Sequence, residues 1–147
     1  MCPPPSSLTI ESWDNGEFAE VLFPEGNTIS INSASSSSST YNLNWTNGNN
    51  NPRSMALTWI PDGTGSSGTL SGSDVTIYDS SSPGTGTELM TLSTVRVTIS
   101  ASGSSTGYLN PEPSIFSEPS IFFTPTNGVF TAQASPGGAP SGDGFCA

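Results

Sequence analysis

The chain has 147 residues, enough for one domain with a real core, and its charge is lopsided: twelve carboxylates against two arginines, no lysine and no histidine, for a net charge of −10. Such a surface repels phosphate backbones and anionic lipid headgroups, which excludes direct nucleic-acid binding and binding to anionic membranes. The missing histidines and lysines remove the usual general bases, Schiff-base formers and imidazole metal ligands.

Only 32% of the residues are hydrophobic and 10% charged, with the remainder mostly Ser, Thr, Gly, Asn and Pro. Turn formers mixed with β-branched residues favour an all-β fold rich in loops. No apolar run reaches the length of a membrane span. The opening MCPPPSSLTIESWD lacks the basic and apolar regions of a signal peptide, so a mature fragment or a protein made in a cytoplasm and released without secretion is expected.

In chain order, residues 1–7 read as an N-terminal Pro/Ser arm carrying Cys2. SLTIES is the first strand candidate. GEFAEVLF follows, a strand or a short helix, with the strand preferred because Pro24 ends it early and no clear cap precedes it. NTISINS is a weaker strand. TYNLNWT puts Tyr41, Leu43 and Trp45 on one face, and SMALTWIP alternates Met55, Leu57 and Trp59 with Ala56, Thr58 and Ile60. SDVTIYD pairs Val75 with Ile77. TELMTLSTVRVTISAS is the longest candidate, with Leu89, Val95, Val97, Ile99 and Ala101 at odd positions, and NGVFTAQA closes the series. The loops between them (33–40, 46–54, 61–73 and 79–88) are polar and read as solvated.

Seven or eight strands of this kind predict an antiparallel β-sandwich over residues 8–134, jelly-roll or immunoglobulin-like in architecture. Pro/Gly/Ser-rich arms flank it at both ends, the second being the tail 135–147 with Cys146. The two cysteines are either free thiols on the arms or a disulfide, within one chain or between chains; sequence leaves the choice open. An intrachain bond would close a loop worth roughly 5 kcal/mol.

The chemistry-bearing groups are few. The carboxylates Glu11, Asp14, Glu17, Glu20 and Glu25 cluster in sequence but read as a solvated face, and the serines have no base to activate them, so no enzyme activity and no cofactor are expected. Asp62, Asp74 and Asp79 lie near loops, where hard oxygen ligands suit Ca²⁺, but without the spacing of a calcium loop they read as turn residues. Asn44-Trp45-Thr46 matches a glycosylation sequon inside a strand and is discounted. Trp13, Trp45, Trp59 and Tyr78 raise the possibility of an aromatic platform for a sugar ring. Strand parity places Trp45 and Trp59 in the core instead.

Residues 111–125, PEPSIFSEPSIFFTP, spell Glu-Pro-Ser-Ile-Phe twice. As a β-strand, Pro111, Pro113, Pro119 and Pro125 share one parity and leave one edge without N–H donors. As polyproline, about three residues per turn stack Pro113, Phe116, Pro119 and Phe122 into one ridge. Either way an extended, proline-edged strip presents Ile115, Phe116, Ile121 and Phe122, to its own domain or to another subunit. Arg96, between Val95 and Val97, is expected to meet a carboxylate on its own chain or across a subunit contact.

A small all-β body without lysine or histidine, with Pro/Ser/Gly arms at both ends and no export signal, resembles the decoration (cement) proteins of tailed-phage capsids in size, composition and layout. That resemblance implies a non-enzymatic homo-oligomer on a virion surface, made in the host cytoplasm and bridging subunits of the major capsid or another structural protein. The alternatives are an extracellular carbohydrate-binding or adhesin-like module, and a fibre- or pilus-type subunit exchanging strands through residues 111–125.

Overall fold

A computed structural model of the chain describes residues 3–14, 23–35, 39–63, 67–111, 114–115, 122–123 and 128–135. The described elements are strands and turns, with no helix among them, hence none long and apolar enough to cross a membrane. The strands are β1 (Ser7–Asp14), β2 (Thr28–Ser33), β3 (Thr40–Thr46), β4 (Pro52–Pro61), β5 (Gly68–Tyr78), β6 (Glu88–Ile99), β7 (Ser104–Pro111), β8 (Ser114–Ile115), β9 (Phe122–Phe123) and β10 (Gly128–Ala134).

Eight of them form a closed antiparallel barrel in the order β1-β10-β7-β6-β5-β4-β3-β2. Neighbours in the wall are neighbours in the chain, except that the β8–β9 pair is inserted between β7 and β10 and that β10 closes the wall on β1. The all-β, antiparallel expectation holds, and the sandwich is replaced by a barrel. The two share the same local alternation; what separates them is whether the first and last strands pair. Here they do, from Leu8↔Ala134 to Asp14↔Val129, so the body has no free sheet edge.

An eight-stranded barrel is just wide enough for side chains to fill. Inward positions supply them: Ile29 and Ile31 from β2, Leu43 and Trp45 from β3, Met55, Leu57 and Trp59 from β4, all buried. The outward partner Ile60 is 56% exposed, as its parity requires. Trp45 and Trp59 are core residues, as their parity predicts. Phe23, outside any strand, sits among aromatic rings with its centroid 4.7 Å from Trp45, 5.1 Å from Phe130 and 5.8 Å from Trp13. The segment expected as a strand or short helix ends in Phe23, which lies in no strand; its other residues, 16–22, lie outside the described residues.

Three strands change parity partway along. In β6, Leu92 is buried and so are Val95, Val97 and Ile99, because the pairing with β7 shifts between Leu92 and Thr94. The Ser93 hydroxyl donates to the Asn110 carbonyl at 2.8 Å, holding the bulge. Leu89, expected inward with the odd positions, is therefore 37% exposed, and Ala101 lies in the exposed turn after the strand. β1 shifts between Ile10 and Ser12. In β5, Leu70 points inward and then Val75 and Ile77 do, with Asp74 between them at φ 53°.

Pro4 and Pro5 of the N-terminal arm are buried, and Ser6 and Ser7 carbonyls accept from Ile31 N (2.9 Å) and Ser135 N (3.0 Å). The described part of that arm is laid against the barrel. Cys2, Cys146 and the tail from 136 onward lie outside the described residues.

Candidate functional site

The bulge in β5 opens the barrel wall. β4 and β5 pair at Ser54↔Tyr78 and again from Thr58↔Ser71, but not between, where residues 55–57 of one strand face 72–77 of the other. β5 stays in register with β6 over that span, so it leans toward β6 and away from β4. The result is an open cleft of about 630 Å³ on the outside of the barrel. Its lining includes Asn42 from β3, Ala56 from β4, and Gly72, Asp74 and Tyr78 from β5.

The far wall comes from the β5–β6 loop, through Pro83 and Gly84. That loop is tightly bonded to itself. Asp79 N donates to Thr87 O at 2.8 Å, the Ser80 hydroxyl lies 2.8 Å from the carbonyls of both Ser82 and Thr85, and the Thr85 hydroxyl donates to Ser82 O at 2.7 Å. A stretch expected to be merely solvated is thus a formed wall.

Its root is fastened to β4 by an ion pair, Arg53 Nη1 to Asp79 Oδ1 at 2.6 Å, with the arginine side chain 6% exposed and the carboxylate 46%. The same nitrogen donates to Pro52 O at 2.9 Å. Asp79→Asn should cost about 1–3 kcal/mol, since it takes the carboxylate charge out of the ion pair with a buried guanidinium. Urea denaturation checks this, and an Arg53→Met/Asp79→Asn pair should recover part of the loss. A single variant within 0.5 kcal/mol of the parent would mean that the loop root is held by backbone bonds alone (about that much is the usual surface effect).

The sequence candidates distribute as follows. Asp62 accepts from the Ser67 hydroxyl, Asp79 is paired with Arg53, and Asp74 stands at the cleft rim, so the three are not convergent. Among the described residues no three metal-ligating side chains gather. Glu11 and Glu25 are exposed, Asp14 ends β1, and Glu17 and Glu20 lie outside the described residues. The aromatic platform does not form: Trp13 packs inward on Phe23 and Phe130 (centroid 6.3 Å from the latter), Trp45 and Trp59 are core, and only Tyr78 reaches the cleft. Asn44 is half-buried in β3.

Arg96 is exposed on β6, in register with Ser71 on one side and Tyr108 on the other. The carboxylate expected for it is not found among the described residues. Tyr108 is 38% exposed, and its other register partner, Val129 on β10, is 45% exposed. Arg96, Tyr108 and Val129 thus make one outward row across β6, β7 and β10.

The Glu-Pro-Ser-Ile-Phe repeat is not one extended strip. Ser114–Ile115 of the first copy pairs with Phe122–Phe123 at the end of the second as a two-stranded antiparallel sheet, Ser114↔Phe123 and Ile115↔Phe122. This sheet is separate from the barrel wall. Phe116 and Ile121 lie outside the described residues. Sequence reasoning missed the cleft altogether, because it depends on how two strands pair. Its only sign in the sequence was Gly72-Ser73-Asp74 inside an otherwise alternating run.

No family model matches this chain, and neither a curated protein nor a solved structure matches it.

Proposed function

We propose that the chain is a non-enzymatic structural protein that attaches to a larger protein assembly, in the manner of a capsid decoration protein on a virion surface. One observation carries the reading: the eight-stranded wall closes without the repeat, and Ser114–Ile115 pairs with Phe122–Phe123 as a separate two-stranded sheet in the β7–β10 connection. A segment of Ile and Phe that the fold does not use to build its wall is a device for contact with something else. Arg96, Tyr108 and Val129 add an exposed row on the strands that lead into and out of that insertion, together with neighbouring β6. The partner on this reading is a major capsid or other structural protein, with the decoration protein itself a homo-oligomer.

The test replaces Ile115 and Phe122 together by Ser. Each buried side chain of this size contributes roughly 1.5–3 kcal/mol, so oligomerisation, read by analytical ultracentrifugation, or binding to particles of the native source should weaken by several kcal/mol. The melting of the dilute monomer should stay that of the parent. A variant that melts early places the hairpin in the domain's own core and removes the attachment role. A parent that neither self-associates nor sediments with particles removes it too.

A further inference from the structure

We propose that the cleft between β4, β5 and the β5–β6 loop is a binding site for a neutral saccharide. This does not depend on the attachment role; a chain that docks on no shell would carry the same cleft.

The shape comes first. A volume of about 630 Å³ falls in the range of small-ligand sites. The floor is low because its residues are small: Ala56 and Gly72 sit where the wall parts, over the core side chains of Leu57 and Val75. A β-carbon on Gly72 would stand 2.6 Å from Val75 Cγ2 and 3.2 Å from Leu57 Cδ2, so bare backbone is needed there. The internally bonded loop makes the far wall a preorganised one, which lowers the ordering cost of binding.

The polar groups come next. The side chains of Asn42, Asp74 and Tyr78 make no hydrogen bond among the described residues, and all three line the cleft. The contrast is with Asp62, Asp79 and Asn47, whose side chains are engaged by Ser67, by Arg53, and by the Asn49 and Asn51 amides. An amide, a carboxylate and a phenol together offer donors and acceptors in the mixture that vicinal hydroxyls satisfy. Asp74 also stands at φ 53°, a left-handed conformation uncommon outside glycine, at the bulge that brings it to the rim. The Tyr78 ring, half-buried, adds an apolar face beside a polar tip.

Charge then selects the ligand. No arginine lines the cleft, its one acidic residue is Asp74, and the chain carries a net charge of −10. Phosphate, sulfate and uronate groups would be repelled without a compensating cation. A lone carboxylate is also too little for Ca²⁺, which takes six to eight oxygens. An uncharged polyol with one C–H face meets both the apolar floor and the hydroxyl-seeking rim.

Affinity electrophoresis tests this, with the full chain run through gels holding a β-glucan, an α-glucan, a mannan or a galactan, and polygalacturonate as the anionic counterpart. At least one neutral gel should retard the parent, and polygalacturonate should not. Asp74→Asn keeps a residue that accepts the left-handed conformation and removes the carboxylate; Tyr78→Ala removes the ring. Each should lower the retardation constant at least tenfold at an unchanged melting temperature. No retardation in any neutral gel overturns the proposal. So does equal retardation by polygalacturonate, or retardation indifferent to both substitutions.

Discussion

Replacing Phe23 by alanine should lower stability by about 4 kcal/mol, a large share of what a domain of this size has. Phe23 is 1% exposed and belongs to no strand, yet its ring centroid lies within 5.8 Å of three others, those of Trp13, Trp45 and Phe130. These rings come from β1, β3 and β10, so the side chain ties β3 to the β1–β10 seam across the intervening β2. Two of its contacts are edge-on, with interplanar angles of 82° and 65°, a geometry worth about 0.5–1.5 kcal/mol per pair beyond buried area. Alanine would leave a cavity walled by rings too large to collapse into it. Urea denaturation should show the loss, and Phe23→Leu, which fills part of the space, should show less than half of it. A Phe23→Ala loss under about 1 kcal/mol would mean that the strands alone hold this end of the barrel.

Much of the wall was legible because outward and inward side chains alternate. Met55, Leu57 and Trp59 against Ile60, or Leu43 and Trp45 against their asparagines, fix which face of β3 and β4 is buried, and the structure agrees. Closure was not legible. It rests on Leu8 meeting Ala134, a contact between the two ends of the domain that no window of sequence contains. Bulges defeat periodicity for a related reason. One added residue at Ser93 or Asp74 reverses the parity beyond it, so Leu92, not Leu89, goes inside.

The candidate site was less legible still. Asp74 read as a loop oxygen ligand, Asn42 as an outward strand residue and Tyr78 as a companion of the tryptophans. The mismatch between β4 and β5 is what brings the three to one cleft. The repeat was conspicuous in sequence, and its proline parity was real, but parity says only which N–H groups are missing. Ser114, Ile115, Phe122 and Phe123 keep theirs, and these are the residues that pair across the hairpin.

Gly107→Ala should destabilise the barrel by about 3 kcal/mol, although it adds a single methyl group. Gly107 lies in β7, directly opposite Phe130 of β10 and Val97 of β6, and it is buried. The Phe130 ring occupies the place of a side chain here: a β-carbon would fall on Phe130 Cε2 and Cζ. The ring cannot swing aside, because Phe23 and Trp13 enclose it. Gly107 is not among the glycines at positive φ, so backbone strain does not enter and space alone decides. Without the ring, alanine would be the better strand residue by about 0.5–1 kcal/mol, through a less flexible unfolded chain. The sign of the effect therefore reports the packing. Phe130→Leu in the same chain should accept the methyl group, so the double variant should be more stable than the sum of the single losses by more than 1 kcal/mol. A neutral or stabilising Gly107→Ala, or strict additivity with Phe130→Leu, would mean that the ring does not rest on this strand and that the β7–β10 pairing is held in some other way.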